Sequence, residues 1–274
     1  MFIDLYAPDW LDQLDTRAAS LDDGSQLHLL IDGAFVPNLY LTVRKTLAAG
    51  QSLTLLFEAL PFCSNDTRSV SPFLFTYRSV SPELNDVLAQ CSGWPMISAI
   101  ETTESLAALS ARLSPWCLIS NDQQRFNFRF PDTRQLPAMF AVLSDLQRGQ
   151  MAGPARRWSF IGRDGGWHEL SLPDSSQVPA HEPELDNHQF AKIVHASEAD
   201  EILFSLKYRN GTLTGRHSDN YAIVSDALDI ARRYQLPAES IDDWCDACHQ
   251  SGERIKKEDG AARLASWHTK QTQN

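Results

Sequence analysis

A change of periodicity over residues 126–136 constrains the fold of this chain more than any other stretch. Three phenylalanines alternate with polar residues over 126–130, which is the two-residue repeat of a half-buried strand. Apolar residues then recur at helical spacing over 136–146. The pattern predicts a strand that runs straight into a helix, with Pro131 ending the strand and Asp132 capping the helix. Such junctions also carry binding and catalytic groups, so a functional role for Asp132 stays open.

Strand-like and helix-like patterns alternate through the first part of the chain, and almost everything after residue 187 is helical in pattern. We therefore predict an α+β protein with a mixed α/β N-terminal lobe, in which helices flank a β-sheet, followed by an all-helical C-terminal lobe. The predicted boundaries are residues 1–175 for the first lobe, 176–186 for a linker, 187–268 for the helical lobe and 269–274 for a frayed tail.

Three serines are predicted to begin helices, because a serine side chain can accept a hydrogen bond from the first turn. Ser81 precedes Pro82, which is favoured at the first helical position. Ser197 and Ser240 precede apolar stripes in the helical lobe. The segment 218–235 is apolar on two faces, which predicts a central helix of a bundle.

Composition excludes several classes of function. A chain of 274 residues with 43% hydrophobic and 22% charged residues is typical of a soluble globular protein. The net charge of −11 argues against nucleic acid and anionic membranes as partners. No apolar run approaches the roughly 20 residues of a membrane span, and Met1–Tyr6 does not resemble a secretory signal. These features, with five scattered cysteines, predict a cytoplasmic protein with reduced thiols.

The segment Cys245-Asp-Ala-Cys248-His249 matches the signature for covalent haem attachment, and a Cys-x-x-Cys pair can also act as a redox dithiol. Haem attachment takes place outside the cytosol, and redox dithiols usually follow a strand. Both thiols share a helical stripe with Ile241 and Trp244, which favours burial as small apolar residues. We predict no cofactor, while a thiol-dependent oxidoreductase or another enzyme that uses the pair, or a hydrolase without a recognisable motif, remains an alternative.

Histidines offer a weak case for a metal or a general base. His181, His188 and His195 recur every seven residues, but seven residues of helix rise about 10.5 Å. That rise is too long for imidazoles that must each approach an ion to about 2.1 Å. His217 lies near Asp219 in the sequence, yet no nucleophile is marked for it. The common hydrolase, metalloprotease and nucleotide-binding motifs are absent from the sequence, so we predict no metal site and no enzyme.

Six short blocks follow one another between residues 27 and 160: His28-Leu-Leu-Ile-Asp-Gly-Ala34, Leu55-Leu-Phe-Glu-Ala59, Ser71-Pro-Phe-Leu74, Gly93-Trp94, Phe128-Arg-Phe-Pro-Asp-Thr-Arg-Gln-Leu136, and Gly153-Pro154 followed by Trp158. In order and spacing these blocks resemble the motifs of the type VI secretion adaptor (effector chaperone) family. Ala59, Thr133 and Met151-Ala152 depart from the family pattern, as in a divergent member. The later segment 227–240 resembles the helical C-terminal half of such proteins.

The resemblance implies a cytoplasmic adaptor without enzymatic activity. Such a protein binds one cognate toxic effector and assists its loading onto the secretion spike, formed by a valine-glycine repeat protein or its tip protein. Six motif residues are implied as candidates for partner binding: Asp32, Glu58, Arg129, Asp132, Arg134 and Trp158. The two arginines could pair with Asp132 or Glu58, or could bind a partner carboxylate bidentately. A general protein-interaction module outside secretion is a further alternative.

Overall fold

The structure, a computed structural model, describes residues 2–61, 63–78, 81–211, 213–256 and 258–271. The chain divides into two compact units, Met1–Ile193 and Val194–Asn274. The first unit contains strands and helices, and the described part of the second contains helices alone, which confirms the predicted α+β class. The division falls inside a long helix, and residues 176–186 lie within the first unit. Of the predicted frayed tail, residues 272–274 lie outside the described residues.

A six-stranded antiparallel sheet forms the centre of the first unit. Its strands are β1 (Gln26–Ile31), β2 (Leu53–Leu55), β3 (Phe73–Tyr77), β4 (Ile97–Thr102), β7 (Arg157–Ile161) and β8 (Trp167–Glu169), in the order β2-β3-β1-β4-β7-β8. Phe73, which begins β3, pairs with Ile31 at the end of β1 and with Leu55 at the end of β2. Ile31 also pairs with Ile97, the first residue of β4. The last residues of β1 and β2 and the first residues of β3 and β4 therefore lie at the same end of the sheet. We call this end the motif end.

Helices cover both faces of this sheet. Seven α-helices lie in the described part of the first unit before residue 176: α1 (Trp10–Ala19), α2 (Leu39–Thr46), α3 (Asn65–Ser69), α4 (Pro82–Ala89), α5 (Leu106–Leu113), α6 (Leu136–Val142) and α7 (Asp145–Ala152). Two short 3-10 helices, Leu56–Ala59 and Ser114–Cys117, lie in the same range. Side chains of α1, α2 and α4 pack in one core with Leu29 and Ile31, whereas those of α5, α6 and α7 pack in a second core with Leu30. Because both faces are covered, β1 is apolar over consecutive residues instead of alternating. Each fully buried Leu or Phe contributes roughly 1.5–3 kcal/mol.

The predicted direct passage from strand to helix at residues 126–136 is wrong. A separate hairpin joins β5 (Leu118–Asn121) to β6 (Gln124–Asn127), and residues 128–135 follow it as turns before α6 begins. The Phe128 N–H still donates to the Cys117 carbonyl, but Pro131 has no N–H with which to continue a strand. The helical pattern beyond 136 also covers two helices, because Ser144 and Gln147 form a capping box that begins α7.

The second unit is helical throughout its described residues. It contains the later part of α8 (Asn187–Asn210), together with α9 (His217–Arg233), α10 (Ala238–Ser251) and α11 (Gly260–Gln271). Helix α9 buries residues on two faces, including Val224 and Ile230, as the pattern of 218–235 predicted. Ser81 caps α4 by accepting the Leu84 N–H, also as predicted. Ser197 and Ser240 do not cap helices: Ser197 lies inside α8, and Ser240 lies inside α10, which starts after Pro237.

Candidate functional site

Asp32 and Arg129 form an ion pair at the motif end of the sheet. Asp32 follows β1 directly, and its backbone N–H donates to the Met96 carbonyl, which holds it beside β4. One carboxylate oxygen accepts the Ala34 N–H at 3.0 Å, and the other accepts Nη2 of Arg129 at 2.9 Å. The Asp32 side chain is 3% exposed and the Arg129 side chain is 41% exposed. Burial raises the pKa of the Asp32 carboxyl above its ordinary value of 3.8, and the Arg129 guanidinium opposes this rise.

Asp132 and Arg134 form a second, more enclosed pair close by. Nη2 of Arg134 donates to the Asp132 carboxylate at 2.6 Å, and Nε donates at 3.1 Å. The same carboxylate accepts the backbone N–H of Arg134 at 3.0 Å. The predicted helix cap at Asp132 is therefore wrong, since the N-cap of α6 is Gln135 and the Asp132 side chain closes the preceding turn. Asp132 is also near enough to Asp32 to raise its pKa.

Aromatic rings hold the two guanidinium groups in place. Arg129 lies 5.2 Å from the ring centre of Phe35, and Arg134 lies 4.9 Å from that of Phe2. Trp94 packs against both rings, at 5.9 Å from Phe35 and 5.6 Å from Phe2. Stacking of a guanidinium on an aromatic face is favourable by about 0.5–1 kcal/mol or more and limits side-chain freedom. We call these five residues the arginine–aromatic cluster.

Backbone contacts bring the remaining motif blocks to the same end of the sheet. A Cβ on Gly33 would overlap the carbonyl oxygen of Ser71, so only glycine allows this approach. The Ser71 hydroxyl accepts the Phe57 N–H at 3.0 Å, and the Leu56 N–H donates to the Pro72 carbonyl at 2.9 Å. The first three blocks of the sequence are therefore joined by direct contacts at the ends of β1, β2 and β3.

Two of the six predicted site residues lie away from the cluster. Glu58 lies at the surface and pairs with Arg68 at 3.5 Å, so it does not pair with Arg129 or Arg134. Trp158 is fully buried in β7, where it packs against Phe130. A side chain in this position stabilises the core and does not offer a surface to a partner. The structure thus brings together Asp32, Arg129, Asp132 and Arg134.

A buried ion pair between Arg112 and Glu104 was not predicted from the sequence. Arg112 donates to Glu104 through Nε and Nη2, the latter at 2.7 Å, and through Nη1 to the carbonyls of Gln150 and Gln177 at 2.9 Å each. The Arg112 side chain is only 6% exposed. The position of an arginine in an amphipathic helix does not by itself indicate that it forms a buried ion pair. The one available signal was Gly153, whose missing side chain leaves space for the guanidinium.

The Cys245 and Cys248 thiols are packed in the core of the second unit. Both side chains are buried on α10 among the apolar residues of α9 and α10, as the helical stripe predicted. Burial raises the pKa of each thiol from its ordinary value of 9.0 to about 12. A thiol with so high a pKa forms almost no thiolate at neutral pH, and the thiolate is the reactive species. This environment disfavours the redox alternative.

The remaining polar candidates do not assemble into a site. His181 and His188 are exposed, and His195 lies 3.5 Å from Glu198 on the surface of α8. In the part of the chain that the structure describes, no three His, Cys, Asp or Glu side chains are grouped so as to hold a metal ion. Within the same residues, no helix has both the length and the apolar character of a membrane span.

The arginine–aromatic cluster is suited to recognition. Asp32 and Asp132 both hydrogen-bond to arginine and to backbone N–H groups, which fixes the position of each carboxylate. Arg129 is different, because its guanidinium is partly exposed and its plane is held by Phe35. Such an arginine can bind a carboxylate of another molecule through parallel N–H groups.

The family model of a domain of unknown function, DUF4123, matches residues 27–150, somewhat less than half of the chain. This family is associated with type VI secretion effector adaptors, and the match supports a general adaptor role. The matched range contains the first five of the six sequence blocks and all four residues of the two ion pairs at the motif end. Neither the curated proteins nor the solved structures gave a match to this chain.

Proposed function

We propose that this protein is a cytoplasmic adaptor that binds one secreted toxic effector and assists its loading onto the type VI secretion spike. Its partners are then the effector and a spike component, either the valine-glycine repeat protein or its tip protein. The protein acts by binding and catalyses no reaction. The match of residues 27–150 to a family associated with such adaptors supports the general role, and the effector and spike contacts are the specific proposal.

The observation that carries the proposal is the convergence of the motif blocks. Residues from five separate blocks lie at one end of the sheet, where Asp32 and Arg129 are joined across 97 positions of sequence. This arrangement limits side-chain motion at the surface, because both carboxylates are hydrogen-bonded and the arginines are stacked on rings. A preorganised surface loses little conformational entropy when it binds.

The decisive experiment is copurification with the product of a neighbouring effector gene, because adaptor genes are expected to lie beside the gene of their toxin. We expect the tagged full-length chain to retain this product as a defined complex, and to retain no effector from an unrelated gene cluster. Deleting the gene should remove the effector from the secreted fraction while the spike protein is still secreted. A chain that never retains the neighbouring product, in a strain that secretes it normally, would overturn the proposal.

A thiol-dependent oxidoreductase is the competing function. It requires thiolates at Cys245 and Cys248, and the raised pKa of both thiols opposes their formation. Secretion assays with the Cys245→Ala/Cys248→Ala variant separate the two functions. If the protein is an adaptor, the variant without the two thiols should still deliver the effector. If its role depends on thiol chemistry at this pair, the variant should lose effector delivery completely.

A further inference from the structure

A cavity at the motif end joins apolar walls to the guanidinium of Arg129. Its volume is about 110 Å³, and its walls include Ala34, Phe57, Val70, Pro72, Phe128 and Pro131, together with Asp32 and Arg129. Apolar cavities of about 150 Å³ accept a ligand as large as benzene, so this one has room for a single aliphatic side chain. Most of the walls come from four of the motif blocks, and Val70 from the end of α3, Cys117 and Asn127 complete them.

Arg129 has binding capacity that the chain itself does not use. A guanidinium has five N–H donors, and within the described residues Arg129 directs one hydrogen bond, from Nη2, to Asp32. Stacking on Phe35 fixes the plane of the group, and 41% of the side chain is exposed. Its remaining N–H groups can therefore accommodate a second carboxylate without breaking the pair with Asp32.

We propose that this cavity binds a segment of the effector in which an aliphatic residue is adjacent to an Asp or Glu. The aliphatic side chain fills the apolar cavity, and the neighbouring carboxylate accepts two N–H groups of Arg129. This inference rests on the proposed adaptor function and names the chemistry of its partner. An acidic side chain is the complement of Arg129, and burial against the apolar walls removes water that would weaken the contact.

Two variants test the two halves of the contact. Arg129→Lys keeps the positive charge beside Asp32 but removes the planar group with its parallel donors. Val70→Phe occupies space in the cavity and leaves the residues of both ion pairs unsubstituted. Arg125→Gln is the matched control, because Arg125 lies in β6 close to Arg129 in sequence, is 63% exposed and pairs only with the exposed Glu182 in the described structure.

Affinity for the purified neighbouring effector should fall at least tenfold in Arg129→Lys and about 30-fold or more in Val70→Phe, and should be unchanged in Arg125→Gln. Circular dichroism and thermal melting establish that each variant is folded. Replacing the matching effector carboxylate by its amide should weaken binding to the wild type and add little to the loss in Arg129→Lys.

The possible results distinguish this inference from the adaptor function on which it rests. A wild-type chain that binds no effector overturns both. A wild-type chain that binds, with folded Arg129→Lys and Val70→Phe variants of unchanged affinity, overturns the cavity and leaves the adaptor function standing. If only Val70→Phe lowers the affinity, the effector is held by an apolar side chain and does not place a carboxylate on Arg129. That result overturns the proposed pairing with Arg129.

Discussion

The guanidinium of Arg112 occupies the space that a side chain on Gly153 would fill. A Cβ at position 153 would lie 2.9 Å from Cδ of Arg112 and closer still to the guanidinium itself. Gly153 also has φ +56° and ψ −139°, a combination that residues with a Cβ rarely adopt. The Gly-Pro block thus has a packing role, since it permits the buried pair between Arg112 and Glu104.

Gly153→Ala should lower the stability of the first unit by about 3 kcal/mol or more. Backbone strain contributes about 1–3 kcal/mol, and displacement of a buried ion pair adds to it. The control is Gly24→Ala, because Gly24 has φ +80° but no atom within 4 Å of the added Cβ. Thermal and urea denaturation measure both variants. Equal losses would mean that strain alone decides the effect and that the Arg112 contact contributes nothing.

His28 should make the protein less stable in mild acid. Its ring is fully buried and contacts the Glu104 carbonyl at 3.0 Å and the Thr76 hydroxyl at 3.1 Å. Burial lowers the pKa of His28 below its ordinary value of 6.5. Between these two pKa values the unfolded chain binds more protons than the folded one, so stability falls as the pH drops through 6.5.

The measurement is the difference in unfolding free energy between pH 7.5 and pH 5.5. His28→Gln should show a smaller difference than the wild type, and the exposed His181→Gln should match the wild type. One proton contributes at most about 1.4 kcal/mol per pH unit. An unchanged difference in His28→Gln would show that other groups cause the acid sensitivity.

Thiol labelling should distinguish one cysteine from the other four. Cys63 is partly exposed, whereas Cys91, Cys117, Cys245 and Cys248 are buried. Burial raises the pKa of the Cys91 thiol to about 12, as for the pair on α10, and raises that of Cys117 as well. A disulfide reagent should therefore label one thiol rapidly in the native protein, and Cys63→Ser should abolish this fast phase. Fast labelling of two further thiols would restore the redox alternative.

Trp244 should stabilise the second unit through its indole N–H. Nε1 donates to the Ala227 carbonyl at 2.9 Å, which joins α10 to α9. Trp267 packs against Trp244 at 5.6 Å, yet its own buried Nε1 has no hydrogen-bond partner in the described structure. Trp244→Phe should cost about 2 kcal/mol, from the lost hydrogen bond and the lost volume. Trp267→Phe should lower the free energy of unfolding clearly less. Equal losses for the two variants in thermal unfolding would show that the hydrogen bond from Trp244 to Ala227 does not contribute to stability.

Local sequence predicted those features that depend on one segment. The cap at Ser81, the central position of α9 and the burial of the thiols on α10 all follow from spacing along a single helix. Predictions that depend on where a pattern ends were less successful. Asp132 was predicted as a helix cap, but its carboxylate binds Arg134 and the helix begins four residues later at Leu136. An Asp before a helix can either cap the helix or accept hydrogen bonds within the preceding turn. Which of the two occurs here is decided by the fold of residues 128–135.

The sequence by itself determined the α+β class and the helical character of the second unit. Both properties follow from the periodicity of apolar residues along the chain. Tertiary structure alone decided which residues meet: Asp32 with Arg129, Glu58 with Arg68, and Arg112 with Glu104. Arginine pairs equally well with any carboxylate in the sequence. The partner is chosen by the register of the sheet and the packing around it, which are properties of the folded chain as a whole.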